Sequence, residues 1–255
     1  MTRCYLDVNK IYQGNCLDIL KTFPDDFIDF IITDPPYMVS QNKKIHRSNN
    51  TKFKGKDINL NFGDWDIQWK SKEEHIEWCF AWLKECIRIL KPYRHLVFFF
   101  DKAWVTPVWN FLEANGMKGR QLLLWIKSNP APRARKVSFV EAIEIAFWFT
   151  KGEVKQNFFN WKLGHSPNYV VSAIPNNPRL HPTQKAEKPI ERWMEYLTNK
   201  NDIVLDPFAG SGTTLVVAKK LGRNYIGIEM NSEYVKIAEK RIAGTLVNET
   251  LFDVE

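Results

Sequence analysis

The chain has 255 residues, 44% of them hydrophobic, and its 36 Lys and Arg outnumber 29 Asp and Glu for a formal charge of +7. That is enough apolar material for one full core, and the positive balance favours a polyanionic partner without requiring one. A membrane segment and a zinc-type cysteine cluster are excluded: the most apolar strand, Leu96 to Phe100, is far too short to span a bilayer, and Cys4, Cys16, Cys79 and Cys86 lack metal-type pairing. Nothing at the N-terminus resembles a signal peptide, so a soluble cytoplasmic protein with reduced thiols is expected.

In chain order, the apolar run Ile28–Thr33 reads as a buried strand that delivers Asp34-Pro35-Pro36-Tyr37 at its carboxyl end. Gln41 to Trp69 is polar, rich in Lys and Asn and without a sustained period, which marks a long functional loop. Ile76, Cys79, Phe80, Leu83, Ile87 and Leu90 recur at spacings of three and four, predicting an amphipathic helix over Lys72–Leu90 closed by Lys91-Pro92. His95–Phe100 is the next buried strand. Thr106-Pro107 opens a helix that Asn115-Gly116 stops. Gln121–Lys127 and Glu144–Thr150 fit further strands, whereas Asn129–Val140 and Asn157–Leu180 are irregular and rich in Pro and Asn. Strand Ile203–Leu205, helix Thr213–Leu221, strand Tyr225–Glu229 and helix Ser232–Ile242 complete a largely parallel α/β pattern.

Two short segments carry the chemistry. In Asp206-Pro207-Phe208-Ala209-Gly210-Ser211-Gly212-Thr213-Thr214 the glycines let backbone approach a ligand, and the following helix offers free N–H groups. Glu229 ends the next strand, near the ~20-residue separation at which an acid accepts ribose hydroxyls. No Lys follows Gly212, which disfavours a phosphate-cleaving Walker loop, and the turn is not G-x-G-x-x-G, which disfavours NAD and FAD. In the other segment, Pro35-Pro36 stiffens the chain and removes two backbone donors. The Asp34 carboxylate and the Pro35 carbonyl then suit the two N–H bonds of an exocyclic amino group, favouring a more tetrahedral nitrogen and the positive charge that develops on it. Tyr37 can stack on the ring that bears that group.

Thr33-Asp34-Pro35-Pro36-Tyr37 resembles motif IV of the amino-methylating DNA methyltransferases, and Asp206–Thr214 resembles their motif I, which binds S-adenosylmethionine. Motif IV precedes motif I here, which is similar to the β arrangement, a circular permutation of the Rossmann-like three-layer α/β methyltransferase fold with helices on both faces. Gln13-Gly14-Asn15-Cys16-Leu17-Asp18 is similar to the segment before motif IV, and His181-Pro182-Thr183-Gln184-Lys185 to the lead-in to motif I, although its following proline is displaced to Pro189. The resemblance implies one catalytic domain over residues 1–255, with DNA-recognition insertions around 41–70 and 129–180.

It further implies that Asp34, Pro35, Pro36 and Tyr37 act in catalysis, with Asp34 and Pro35 holding the amino group and Tyr37 stacked on a flipped base. Asn15, Cys16, Asp34, His181, Thr183, Lys185, Asp206, Pro207, Phe208, Ala209, Gly210, Ser211, Gly212, Thr213, Thr214, Glu229 and Met230 would form the cofactor pocket. Lys43, Lys44, Arg47, Lys54, Arg133 and Arg135 would meet DNA phosphates. The resemblance points to double-stranded DNA as partner, and it is compatible with a homodimer and a cognate restriction endonuclease. Asp rather than Ser before Pro-Pro-Tyr favours N6-adenine over N4-cytosine as the target. No metal is expected, and His165 and His181 are assigned none. Of Trp125, Trp148 and Trp161, most are expected to be core.

Overall fold

The computed structural model describes residues 7–36, 44–45, 58–59, 69, 71–131, 137, 139–153, 158–175 and 185–247. Along the chain the elements are β1 (Lys10–Gln13), α1 (Cys16–Leu20), β2 (Ile28–Thr33), β3 (Lys44–Ile45), β4 (Ile58–Asn59), α2 (Lys72–Ile89), β5 (Leu90–Phe99), α3 (Val105–Ala114), β6 (Met117–Lys127), β7 (Ile143–Lys151), β8 (Tyr169–Ser172), α4 (Glu187–Leu197), β9 (Ile203–Asp206), α5 (Thr213–Lys220), β10 (Asn224–Glu229) and α6 (Ser232–Ala243). They fall into two compact units, Met1–Pro35 with Trp82–Glu255, and Pro36–Ala81.

The larger unit is built on one eight-stranded sheet of order β1-β10-β9-β2-β5-β7-β6-β8. Neighbouring strands are parallel except in the two pairs that involve β7. All six residues of β2 are buried, as a strand covered on both faces requires. From β9 the chain crosses by α5 to β10 on one side, and from β2 by α2 to β5 on the other. Right-handed crossovers running in opposite directions put their helices on opposite faces and open a crevice at the β9/β2 boundary. Asp34 and Asp206 stand at the carboxyl ends of those two adjacent strands, whose register pairs Phe30 with Val204 and Ile31 with Leu205.

Packing fixes this boundary from both ends. Trp82 meets Phe98 and Phe208 edge-on, with ring centroids 5.9 and 5.3 Å apart, and Phe98 stacks on Phe147 at 5.2 Å. At the amino ends of the strands, Arg94 spans the buried Asp29 of β2 at 3.2 Å and Asp202, just before β9, at 3.0 Å. Beside β1 and β10, Ile11, Ala209, Leu215, Val216, Val235, Ala238 and Ile242 form the apolar layer under α5 and α6.

In the smaller unit β3 and β4 pair antiparallel, Lys44 opposite Asn59 and Ile45 opposite Ile58. This short hairpin lies inside the stretch expected to be loop. Within the same unit the Trp69, His75 and Trp78 rings cluster, with centroids 4.5 to 6.1 Å apart.

Three further expectations need correction. The strand expected from His95 begins earlier: α2 ends at Ile89 and β5 starts at Leu90, running through Lys91-Pro92. Pro92 is accommodated in a bulge, because the register with β2 jumps from Ile28–Leu90 to Phe30–His95, and Tyr93 takes φ +63° there. The irregular stretch 157–180 contains β8, which adds to the sheet edge beside β6. Finally, α4 occupies a stretch read only for its motif. Pro189 sits in its first turn, where no intrahelical N–H bond is lost.

Candidate active site

Adjacent parallel strands bring the two turns side by side, and a hydrogen bond ties them. Thr33 Oγ1 donates to Asp206 Oδ1 at 2.6 Å, and the Phe208 N–H donates to the same oxygen at 3.1 Å. Burial pushes the Asp206 carboxyl up to about 6 against the pull of hydrogen bonds from Thr33, Thr214 and Phe208. Asp206 is therefore a strut inside the turn. A cavity of about 60 Å³ opens beside it, lined by Asp34, Lys185, Phe208, Gly210, Ser211 and Thr213 among others.

The glycine turn is held by its own geometry. Gly210 and Gly212 have φ of +50° and +79°, in the left-handed region that side chains avoid. A Cβ on Gly212 would lie 2.7 Å from the Ala238 Cβ, so the turn also needs glycine to admit α6. No side chain caps α5 at Gly212, and Thr213 and Thr214 of its first turn line the cavity. The Arg241 guanidinium braces the turn from behind: it donates to the Ser211 carbonyl at 2.6 Å and pairs with Glu187 at 3.3 Å. No sequence signal marked Arg241, a last-turn residue of an amphipathic helix.

Glu229 Oε2 accepts the Gly210 N–H and Oε1 the Asn231 N–H, each at 2.8 Å, while burial raises its carboxyl above the usual range. A carboxylate has about four acceptor sites, so capacity for a hydroxyl donor remains beside the glycine turn. Together with the uncapped helix start and the backbone laid bare at Gly210, this donor and acceptor set fits a nucleoside-bearing cofactor. Met230 follows, 54% exposed.

Other residues expected at the pocket take different places. β1 pairs with β10 and the Gly14 N–H donates to the Glu229 carbonyl at 3.0 Å, which puts Asn15 and Cys16 near the same strand ends. The Asn15 side chain, however, caps α1 through the Leu17 N–H at 2.9 Å. Cys16 is buried, and burial pushes its thiol up to about 12. Pro207 is buried within the turn, whereas the buried Ala209 does line the cavity. In the smaller unit the Pro36 carbonyl lies 2.9 Å from His75 Nε2, a contact the sequence reading missed. Trp125 and Trp148 are buried and Trp161 is exposed. Tyr37, Lys43, Arg47, Lys54, Arg133, Arg135, His181 and Thr183 lie outside the described residues; Lys44 is described only by its backbone in β3.

Lys185 reaches the Asp34 side of the cavity. Its ammonium lies 3.2 Å from Asp34 Oδ2, contacts Glu144 Oε2, and sits 4.8 Å from the centroid of the Phe99 ring. Glu144, which sequence reading took only as the start of a strand, pairs through Oε1 with Lys127 at 2.7 Å. Among the described residues no cluster of His, Cys, Asp and Glu could hold a metal, and no helix is long and apolar enough to cross a membrane.

Comparison with known proteins agrees with this geometry. Residues 28–240 match the N6/N4 DNA methylase family. The chain is 34% identical over 258 residues to the type II methyltransferase M.HinfI of Haemophilus influenzae, covering 92% of this chain and 68% of that protein. It is 33% identical over 256 residues to the type II methyltransferase M2.DpnII of Streptococcus pneumoniae, covering 95% and 93%. The crystal structure of the M1.HpyAVI–SAM complex superposes with a TM-score of 0.68 at 28% identity, covering 91% of this chain and 98% of that one. With its two turns joined at the β9/β2 boundary and its match running from β2 into α6, the chain belongs to the N6/N4 family of amino-methylating DNA methyltransferases.

Proposed function

We propose that this protein methylates the exocyclic N6 amino group of an adenine flipped out of a specific double-stranded DNA sequence. The observation that carries the reading is the junction of the Asp34 turn with the glycine turn, side by side on β2 and β9 and tied by Thr33 and Asp206. The cofactor is S-adenosylmethionine, which supplies an electrophilic methyl group on a sulfonium whose departure leaves a neutral thioether. The Asp34 carboxylate and the Pro35 carbonyl accept the two N–H bonds of the base's amine and turn its lone pair toward the methyl carbon. As the N–C bond forms, the same oxygens face the positive charge on nitrogen, and Asp34 is placed to take the proton it sheds. Glu229 holds the ribose hydroxyls. The target must leave the helix to reach this crevice, at a cost of a few kcal/mol offset by stacking and phosphate contacts. Asp before Pro-Pro-Tyr and the +7 charge support adenine in DNA as the substrate.

Asp34→Ala should bind S-adenosylmethionine with near-normal affinity in calorimetry and lose methyl transfer to DNA. Full activity in that variant would remove Asp34 from the mechanism. Mass spectrometry of nucleosides from treated DNA should show N6-methyladenine; N4-methylcytosine alone would overturn the choice of base.

A further inference from the structure

The ammonium of Lys185 is held from three directions by three strands. Asp34 ends β2 and meets it at 3.2 Å, Glu144 of β7 contacts it through Oε2, and the face of Phe99 in β5 covers it at 4.8 Å. Its side chain is only 9% exposed. The free oxygen of Glu144 is held in turn by Lys127, the last residue of β6, whose own ammonium lies 5.5 Å from the Trp125 ring centroid. Four side chains thus alternate in sign from the catalytic carboxylate to the far strands, with no net charge among them. Burial of this kind gives little stability, since desolvation offsets the attraction, so the arrangement calls for another explanation.

We infer that Glu144 is a positioning residue for methyl transfer, acting through Lys185 to fix and tune the catalytic carboxylate of Asp34. The inference rests on the reading that Asp34 receives the target amine. Anchoring Oδ2 to a fixed ammonium holds the Asp34 carboxylate in one orientation toward the amine. A lysine paired with Asp34 alone would draw off the negative potential that nitrogen needs as it turns positive. Sharing that lysine with Glu144 returns part of it. Burial works against the charge on Lys185, but Asp34 and Glu144 more than compensate and hold its ammonium above the ordinary lysine range. Burial likewise raises the Glu144 carboxyl, while Lys185 and Lys127 bring it below the usual range. Both stay charged, so Lys185 is no base and Glu144 no acid. Lys127 and Glu144 are also the two roots of the segment between β6 and β7, where the Lys127 N–H donates to the Ala142 carbonyl at 2.7 Å. The connection expected to meet DNA therefore begins and ends on this charge chain.

Glu144→Gln and Lys185→Met, made in the full chain, distinguish positioning from mere structure because they should move the pH profile in opposite directions. Among the groups facing Asp34 are Lys185, with Glu144 behind it, and Asp206 across the strand boundary. Glu144→Gln removes the anion that shares Lys185 with Asp34, so the acid limb of kcat should move to lower pH. Lys185→Met removes the cation between Asp34 and Glu144, so that limb should rise by about 1 to 3 pH units. Both should lower kcat by about 10- to 100-fold, with KM for S-adenosylmethionine changed far less. Unmoved acid limbs and wild-type kcat in both, alongside an inactive Asp34→Ala, would overturn this inference while leaving the proposed function intact; an active Asp34→Ala would remove the premise itself. If Lys185→Met fails to fold, the isosteric Glu144→Gln decides alone: a lowered kcat with its acid limb moved down supports the role, and an unmoved profile overturns it.

Discussion

Asp206→Asn should make the protein more stable at neutral pH, although it alters the start of the glycine turn. The Asp206 side chain is buried, and burial lifts its carboxyl from 3.8 to about 6. Between those values the folded state keeps a proton that the unfolded chain has lost, so stability falls as pH rises through this window. Above it the ionised side chain costs about 3 kcal/mol, from a shift of roughly two units at about 1.4 kcal/mol each. Asparagine keeps an Oδ1 acceptor for Thr33 Oγ1 and the Phe208 N–H, so it removes the charge and retains the strut. Urea unfolding of both proteins from about pH 4 to about pH 7.5 measures the effect as a difference. That subtraction matters because His95, which burial lowers to about 4, has the opposite slope: its stabilisation is present above 6.5 and is lost as pH falls toward 4. The Asn variant should match the parent near pH 4 and exceed it by about 3 kcal/mol above pH 6. A difference that does not vary with pH, or an Asn variant less stable at neutral pH, would refute the reasoning.

Gly212→Ala should cost about 2 to 4 kcal/mol, combining a left-handed backbone with a Cβ forced against Ala238 at 2.7 Å. Urea midpoints would read the loss, and calorimetry should show weaker S-adenosylmethionine binding because α5 must shift. Arg94→Met strips the guanidinium from Asp29 and Asp202 and should cost about 3 kcal/mol at neutral pH. Burial raises the Asp202 carboxyl, so the penalty should shrink as pH falls and Asp202 takes up a proton; a constant penalty would point to lost packing instead.

Much of the centre was legible. β2 follows its apolar run residue for residue, because a strand buried on both faces has no choice of composition. The glycine turn and the acid after it were readable because positive φ and close helix packing leave few alternatives at Gly210 and Gly212. The edges were not. β1 and β8 have four residues each, with Ile11 and Val170 their only buried hydrophobics, too few to set a period. α4 does carry a helical spacing in Ile190, Trp193, Met194 and Leu197, but the adjoining His181–Lys185 motif drew the reading away from it. Glu144 was illegible for a different reason. Its meaning lies in Lys185 and Lys127, which only the sheet order brings to it.

The hydrogen bond from Thr33 to Asp206 spans 173 positions of chain. Parallel neighbours so distant in sequence pair late in folding, since loop closure must precede any contact that rewards it. The local unit from β2 through β5 can form while synthesis continues, but β9 must emerge and insert beside β2 before the crevice exists. A nascent chain halted before Ile203 carries the Asp34 turn without the glycine turn, so methylation awaits the synthesis of β9, α5 and β10.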